Sequence, residues 1–180
     1  MEPQYILMKA LLMFIVLCFG FILLLYSELL RLHDREKISV LIFRITGVAL
    51  ILFFLIFSGL VKDSWEWVFR FHRTIDYVEL NKVYTFSQDV AIWKKGVSEW
   101  SLWWWLLMFL VFLIWTFLCF GGIFINFRYR FRDILKEMDI FNIGHLVVWG
   151  VGYAFFFALG IFSLFQLGGF TLAIGYKLFY

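Results

Sequence analysis

Long apolar stretches alternate with charged connections along the whole chain. A helix needs roughly 20 mostly apolar residues to cross about 30 Å of hydrocarbon. In lipid its backbone polar groups must be hydrogen-bonded within the segment, which favours helices. Four long stretches contain no charged residue, namely 10–27, 45–61, 100–127 and 140–176. They predict an all-α integral membrane protein, a single transmembrane domain with about four transmembrane helices, near 5–30, 38–61, 101–127 and 143–167.

The last apolar stretch is too long for one crossing, because 37 helical residues would measure about 55 Å. Gly168 and Gly169 interrupt it and leave eleven residues beyond them. We therefore predict one span that ends near residue 167, followed by an aromatic tail, 168–180, at the membrane interface. A fifth short or re-entrant helix in this tail is the alternative.

Composition supports the membrane class and gives no sign of nucleic-acid binding. Of the 180 residues 64% are hydrophobic and 16% are charged, whereas soluble domains have about 45–50% apolar and about 25% charged residues. The net charge of +3 is small, and a nucleic-acid surface needs basic residues gathered on one face. Cys18 and Cys119 lie in apolar stretches without metal-ligand spacing, so no metal site is predicted.

The basic residues of the short connections predict an orientation. Lys and Arg are enriched in cytoplasmic loops, and both the first and the third connection are short and basic. We expect these two connections to face the cytoplasm or matrix of a bacterial or organellar inner membrane. Both termini and the 62–100 loop would then lie outside.

The third connection has the pattern of an amphipathic helix on the membrane surface. Its apolar residues recur at spacings of three and four, and its basic residues lie largely on other faces. Such basic residues attract anionic lipid headgroups. Ordinary anchoring and recognition of one specific lipid are both open. The predicted lipid contacts are Arg128, Arg130, Arg132 and Lys136.

The 62–100 loop is rich in aromatic residues and is predicted to be ordered, since it contains no Pro and one Gly. Its pattern fits both a strand and a helix over 65–78. The aromatic side chains either anchor in the headgroup layer, dock a neighbouring subunit or form a cage for a cation. The candidate partner contacts in and beside it are Trp65, Trp67, Phe69, Phe71, Trp93, Trp100, Trp103 and Trp104.

Polar side chains within spans are the default functional candidates, because they are costly in lipid. Each predicted helix carries one near its cytoplasmic end, in chain order Glu28, Arg44, Asn126 and His145. We hypothesise an ion pair between Glu28 and Arg44 with the other two as further partners. The alternative is that Arg44 extends to the headgroups and Glu28 is merely interfacial.

Glycines occur in the last two spans, including Gly122 in the third and Gly150 and Gly152 in the fourth. Small residues let membrane helices approach closely. We interpret these positions as helix-packing sites.

The sequence contains no catalytic motif, and we expect neither an enzyme nor a cofactor. A haem is not expected, because His33 and His72 lie in connections on opposite sides of the predicted membrane. The expected function is a non-catalytic accessory or assembly subunit of a larger membrane complex. Its partners would be membrane lipids and other integral membrane subunits, met through aromatic helix faces and the 62–100 loop. The alternatives are a small homo-oligomeric channel or carrier that uses the polar cluster, and a membrane-embedded enzyme or lipid-handling protein.

Overall fold

The computed structural model describes residues 3–33, 37–61, 64, 86–127, 132–137 and 143–179, and these residues contain no strand. Four of the described helices are long and apolar enough to cross a membrane. This all-helical architecture agrees with the sequence prediction and is compatible with a multi-pass membrane protein. The helices are α1 (Pro3–Leu32), α2 (Lys37–Phe57), α3 (Phe86–Glu99), α4 (Leu102–Ile125), α5 (Arg132–Glu137) and α6 (Ile143–Phe179).

Helix α2 ends at Phe57, four residues before the predicted end of the second span. The amide of Ser58 still donates to the carbonyl of Phe54 at 2.9 Å. Gly59 then adopts a φ of 79°, a left-handed conformation that glycine reaches without a steric penalty and that commonly ends helices. A local backbone feature therefore stops this helix within a stretch that is still apolar.

Helix α6 does not break at Gly168 and Gly169, as the sequence pattern predicted, but runs without interruption to Phe179. The prediction that the last helix ends at 167 is therefore wrong, and residues 168–179 continue it. Glycine is unfavourable in helices in water, but in apolar surroundings no water is available for freed backbone groups, so the helical hydrogen bonds are retained. The 37-residue helix is about 55 Å long.

The region predicted as the 62–100 loop contains helix α3. Ser101 immediately precedes α4, and its Oγ accepts a hydrogen bond from the amide of Trp104 at 3.3 Å. This is the side-chain cap that Ser provides at helix N-termini. The alternating pattern over 65–78 lies outside the described residues, so the choice between strand and helix there stays a prediction.

The chain forms two compact units, of which the first contains residues 1–59 and 119–159. Helices α1 and α2 pack antiparallel in it, and their backbones come closest at Gly20 and Gly47. A Cβ added at Gly47 would lie 2.8 Å from the carbonyl oxygen of Gly20. The beginning of α6 also packs on α1, since Gly150 faces the side chain and backbone of Ile22. Close helix contacts through glycine are typical of membrane proteins.

The second unit contains residues 60–118 and 160–180, and its core joins α3 to parts of α4 and α6. Trp105 of α4 is fully buried and lies 6.0 Å from Phe170 between ring centroids. Trp93 and Val97 of α3 are buried in the same cluster. Lys177 donates to the carbonyl of Ser98 at 2.7 Å, which ties the end of α6 to α3.

Candidate functional site

The structure brings Glu28 and Arg44 together in the first unit. One carboxylate oxygen of Glu28 accepts a hydrogen bond from Arg44 at 3.3 Å, and the other accepts one from Arg31 on the next turn of α1. The Glu28 side chain is only 12% exposed, whereas the two arginine side chains are about half exposed, at 49% and 47%. One largely buried carboxylate therefore pairs with two arginines, and the cluster has a net charge of +1.

The packing of α1 against α2 explains this geometry. Arg44 lies one helical turn before Gly47, where the two backbones are in contact. Tyr26 and Phe43 pack edge to face beside the pair, with ring centroids 5.1 Å apart. Since the helices are antiparallel and touch at Gly47, Arg44 is held within reach of Glu28.

Asn126 and His145 do not join this ion pair. Among the described residues, the carboxylate of Glu28 is bonded by Arg31 and Arg44 only. Asn126 is half-buried in a π-helical turn that follows α4, and His145 is exposed near the start of α6. Of the four residues predicted to cluster, the structure brings together Glu28 and Arg44. Arg31, which was not predicted, also pairs with Glu28.

A partly open cavity of about 440 Å³ adjoins the ion pair within the first unit. Its polar side chains are Ser27, Glu28, Arg44 and Tyr153, and the buried Ser27 hydroxyl is satisfied by the Leu24 carbonyl at 2.7 Å. The rest of the wall is apolar and aromatic. The apolar lining residues are Phe21, Leu24, Leu25, Val48, Ile123, Phe124 and Phe127.

The predicted anionic-lipid contacts are described only in part. Arg128 and Arg130 lie outside the described residues, as does the side chain of Arg132, the first residue of α5. Lys136 is exposed and forms an ion pair with Asp133 on the same helix at 3.7 Å. A lipid role for these residues stays a prediction.

The predicted partner contacts fall into three groups. Trp65, Trp67, Phe69 and Phe71 lie outside the described residues. Trp93 is 5% exposed and belongs to the core of its own unit, so its ring is not available to a partner, contrary to the expectation. At the start of α4, Trp103 is 80% exposed, and Trp100 stacks on Trp104 with ring centroids 4.9 Å apart.

Several residues that shape the site were not identified from the sequence. Gly20 and Gly47 are each the sole glycine of their helix. That pattern is visible in the sequence and could have indicated a site of close helix packing. Tyr153 lines the cavity and contacts both Phe21 and Phe127, with ring centroids 6.4 and 6.5 Å apart. Its role depends on which face of α6 meets α1, and an almost uniformly apolar helix does not reveal that face.

The buried polar residue Gln166 is also explained by a contact. It is 3% exposed, and its amide group donates to the carbonyl of Ser64 at 3.4 Å in the second unit. Among the described residues no group of His, Cys, Asp and Glu side chains is arranged to hold a metal ion. The chain matches no protein-family model, no curated protein and no solved structure.

Proposed function

We propose that this protein is a non-catalytic subunit or assembly factor of a larger complex in a bacterial or organellar inner membrane. The observation that carries the proposal is the exposure of its apolar helices. Only 17% of the central residues of α2 and 11% of those of α4 are buried against the chain's own residues. Surfaces of this size and polarity need a cover of lipid or of other membrane helices.

The composition of the exposed surface of α4 supports a protein partner. Large exposed aromatic side chains follow one another along this helix, and the cores of protein interfaces are enriched in such residues. A Cβ added at Gly122 on the same helix would meet no described atom within 4 Å, so a partner helix has room to approach closely there. The aromatic residues are Trp103, Trp115, Phe117 and Phe124.

The proposal also includes an orientation of the chain in the membrane. The exposed Lys136 of α5, together with the basic residues around it, would lie on the cytoplasmic or matrix side. Both termini and helix α3 would lie on the opposite side.

The test is purification of the tagged full chain from its native membrane in a mild detergent, followed by identification of co-purifying proteins. We expect a fixed set of membrane proteins to accompany the wild type. Gly122→Leu should lose them while the isolated chain keeps its thermal stability, because the open space tolerates a side chain in the monomer. The matched variant Gly47→Leu should instead unfold the chain. A lone monomer from the native membrane would contradict the proposal.

A small homo-oligomeric channel or carrier is the second candidate, and the cavity beside Glu28 and Arg44 favours it. Among the described residues, however, the two ion pairs of Glu28, with Arg31 and with Arg44, do not extend to Asn126 or His145. Flux of ions or small solutes through liposomes that contain the purified protein tests this candidate. Vesicles that stay as impermeable as protein-free vesicles would exclude it.

A further inference from the structure

We propose that the cavity beside Glu28 and Arg44 binds an anionic phospholipid, with an acyl chain between α1, α2, the end of α4 and α6, and the phosphate on Arg44. The inference rests on the membrane location of the chain and is independent of its role in a complex. The proposed site is separate from the lipid contacts predicted at Arg128, Arg130, Arg132 and Lys136.

The charged and apolar residues of the cavity lie at the depths that the headgroup and the acyl chain of a lipid would occupy. Glu28 lies near the C-terminal end of α1, and Arg44 lies about 10 Å from the N-terminal end of α2. Both are therefore near one membrane surface. Phe21 and Leu24 lie one to two turns deeper on α1, and Val48 lies one turn deeper on α2. Glu28 and Arg44 thus lie at the shallow edge of a cavity whose wall is otherwise mostly apolar.

The charge of the site selects an anion. The Glu28 carboxylate is shared by Arg31 and Arg44, so one positive charge is left over. The Arg44 side chain remains 47% exposed and has donors free for a further acceptor, because a guanidinium carries five N–H groups. Arginine forms strong paired hydrogen bonds with phosphate.

The size and walls of the cavity suit a hydrocarbon chain. Its volume of about 440 Å³ lies within the range of roughly 300–1,000 Å³ that small-molecule sites occupy. Aromatic rings form one side, since Tyr153 contacts Phe21 and Phe127. The turn that carries Phe127 is π-helical, a departure from α-helix that is frequent at binding sites.

The test measures binding of two phospholipids with identical acyl chains to the delipidated full chain in a non-ionic detergent. Phosphatidylglycerol carries a net negative charge and phosphatidylcholine does not. We expect one phosphatidylglycerol per chain by native mass spectrometry, with a dissociation constant about tenfold lower than that of phosphatidylcholine. Equal dissociation constants for the two lipids would overturn the proposal.

Two pairs of variants locate the site. Arg44→Gln should reduce phosphatidylglycerol binding to the level of phosphatidylcholine, whereas Lys95→Gln, which removes an exposed charge of α3 outside the cavity, should change nothing. Val48→Phe fills the cavity and should weaken both lipids, whereas Val151→Phe changes an equally exposed position away from it. Equal effects within either pair would place the lipid elsewhere.

A competition experiment distinguishes a lipid site from a site that binds phosphate alone. Glycerol phosphate carries the headgroup chemistry without acyl chains and should not displace bound phosphatidylglycerol at equal concentration. Displacement at that concentration would show that the arginines bind phosphate alone and would overturn the role of the cavity.

Discussion

At the scale of single residues, the two glycines that join α1 to α2 determine the site as much as the charged residues do. Without a Cβ at Gly20 or Gly47, the helices approach so closely that a Cβ at Gly47 would lie 2.8 Å from the carbonyl oxygen of Gly20. This proximity allows Arg44 to reach Glu28 from the neighbouring helix.

The first prediction concerns this contact. Gly47→Ala should lower the free energy of unfolding by about 1–3 kcal/mol, because overpacking forces the backbones apart. The control Gly152→Ala adds the same methyl group where no described atom lies within 4 Å, and it should be neutral or slightly stabilising. Unfolding in mixed micelles of a mild and a denaturing detergent measures both. Equal changes in the free energy of unfolding would show that the close contact at Gly47 does not contribute to stability.

The second prediction distinguishes the partners of the ion cluster. Glu28→Gln leaves Arg31 and Arg44 without their shared carboxylate and should lower stability by about 1–3 kcal/mol. Arg44→Gln should lower it less, since Arg31 still neutralises Glu28 and the lost arginine is half exposed. The same micelle titration compares the two variants. A larger loss for Arg44→Gln would reverse the assignment of Glu28 as the central residue.

The sequence predicted the charged part of the site better than the glycine part. Ionisable groups at membrane depth must find partners, so their positions along the helices already bring Glu28 and Arg44 to similar depths. Gly20 and Gly47 lie in helices that are apolar on every face, and periodicity does not show which faces meet.

At the scale of helices, the boundaries of α1, α2 and α4 lie within a few residues of those predicted, because charged residues flank the apolar stretches. The error at α6 has a physical cause. The prediction of a break at Gly168 and Gly169 applied the rules for helices in water, whereas Gly169 is buried and lies in a helix that is apolar over most of its length.

Helix α3 gives the third prediction, since it carries a tryptophan that was expected at an interface but is buried. Trp93→Ala should destabilise the chain by about 3–5 kcal/mol, as is usual for a buried aromatic residue. Trp103→Ala, at a residue 80% exposed, should leave the stability of the isolated chain unchanged. Thermal unfolding of the two purified variants provides the comparison. A destabilised Trp103 variant would mean that this ring packs within the chain.

At the scale of the whole molecule, the fourth prediction concerns topology. Glu99 ends α3, Lys136 lies in α5, and the apolar helix α4 lies between them. In a background where Cys18 and Cys119 are replaced by Ala, Glu99→Cys should react with an impermeant maleimide added to intact cells or organelles. Lys136→Cys should react only after the membrane is opened. Labelling of both from one side would contradict a crossing by α4.

The contact between α1 and α2 also bears on how the protein is made. Only four residues lie between these helices, so the pair closes a short loop at a small cost in chain entropy. Chains are synthesised from the N-terminus, and early segments fold first. The ribosome has therefore finished both halves of the Glu28–Arg44 pair about a hundred residues before it reaches Tyr153. The first two helices can therefore insert together as a hairpin in which Arg44 is already paired with Glu28.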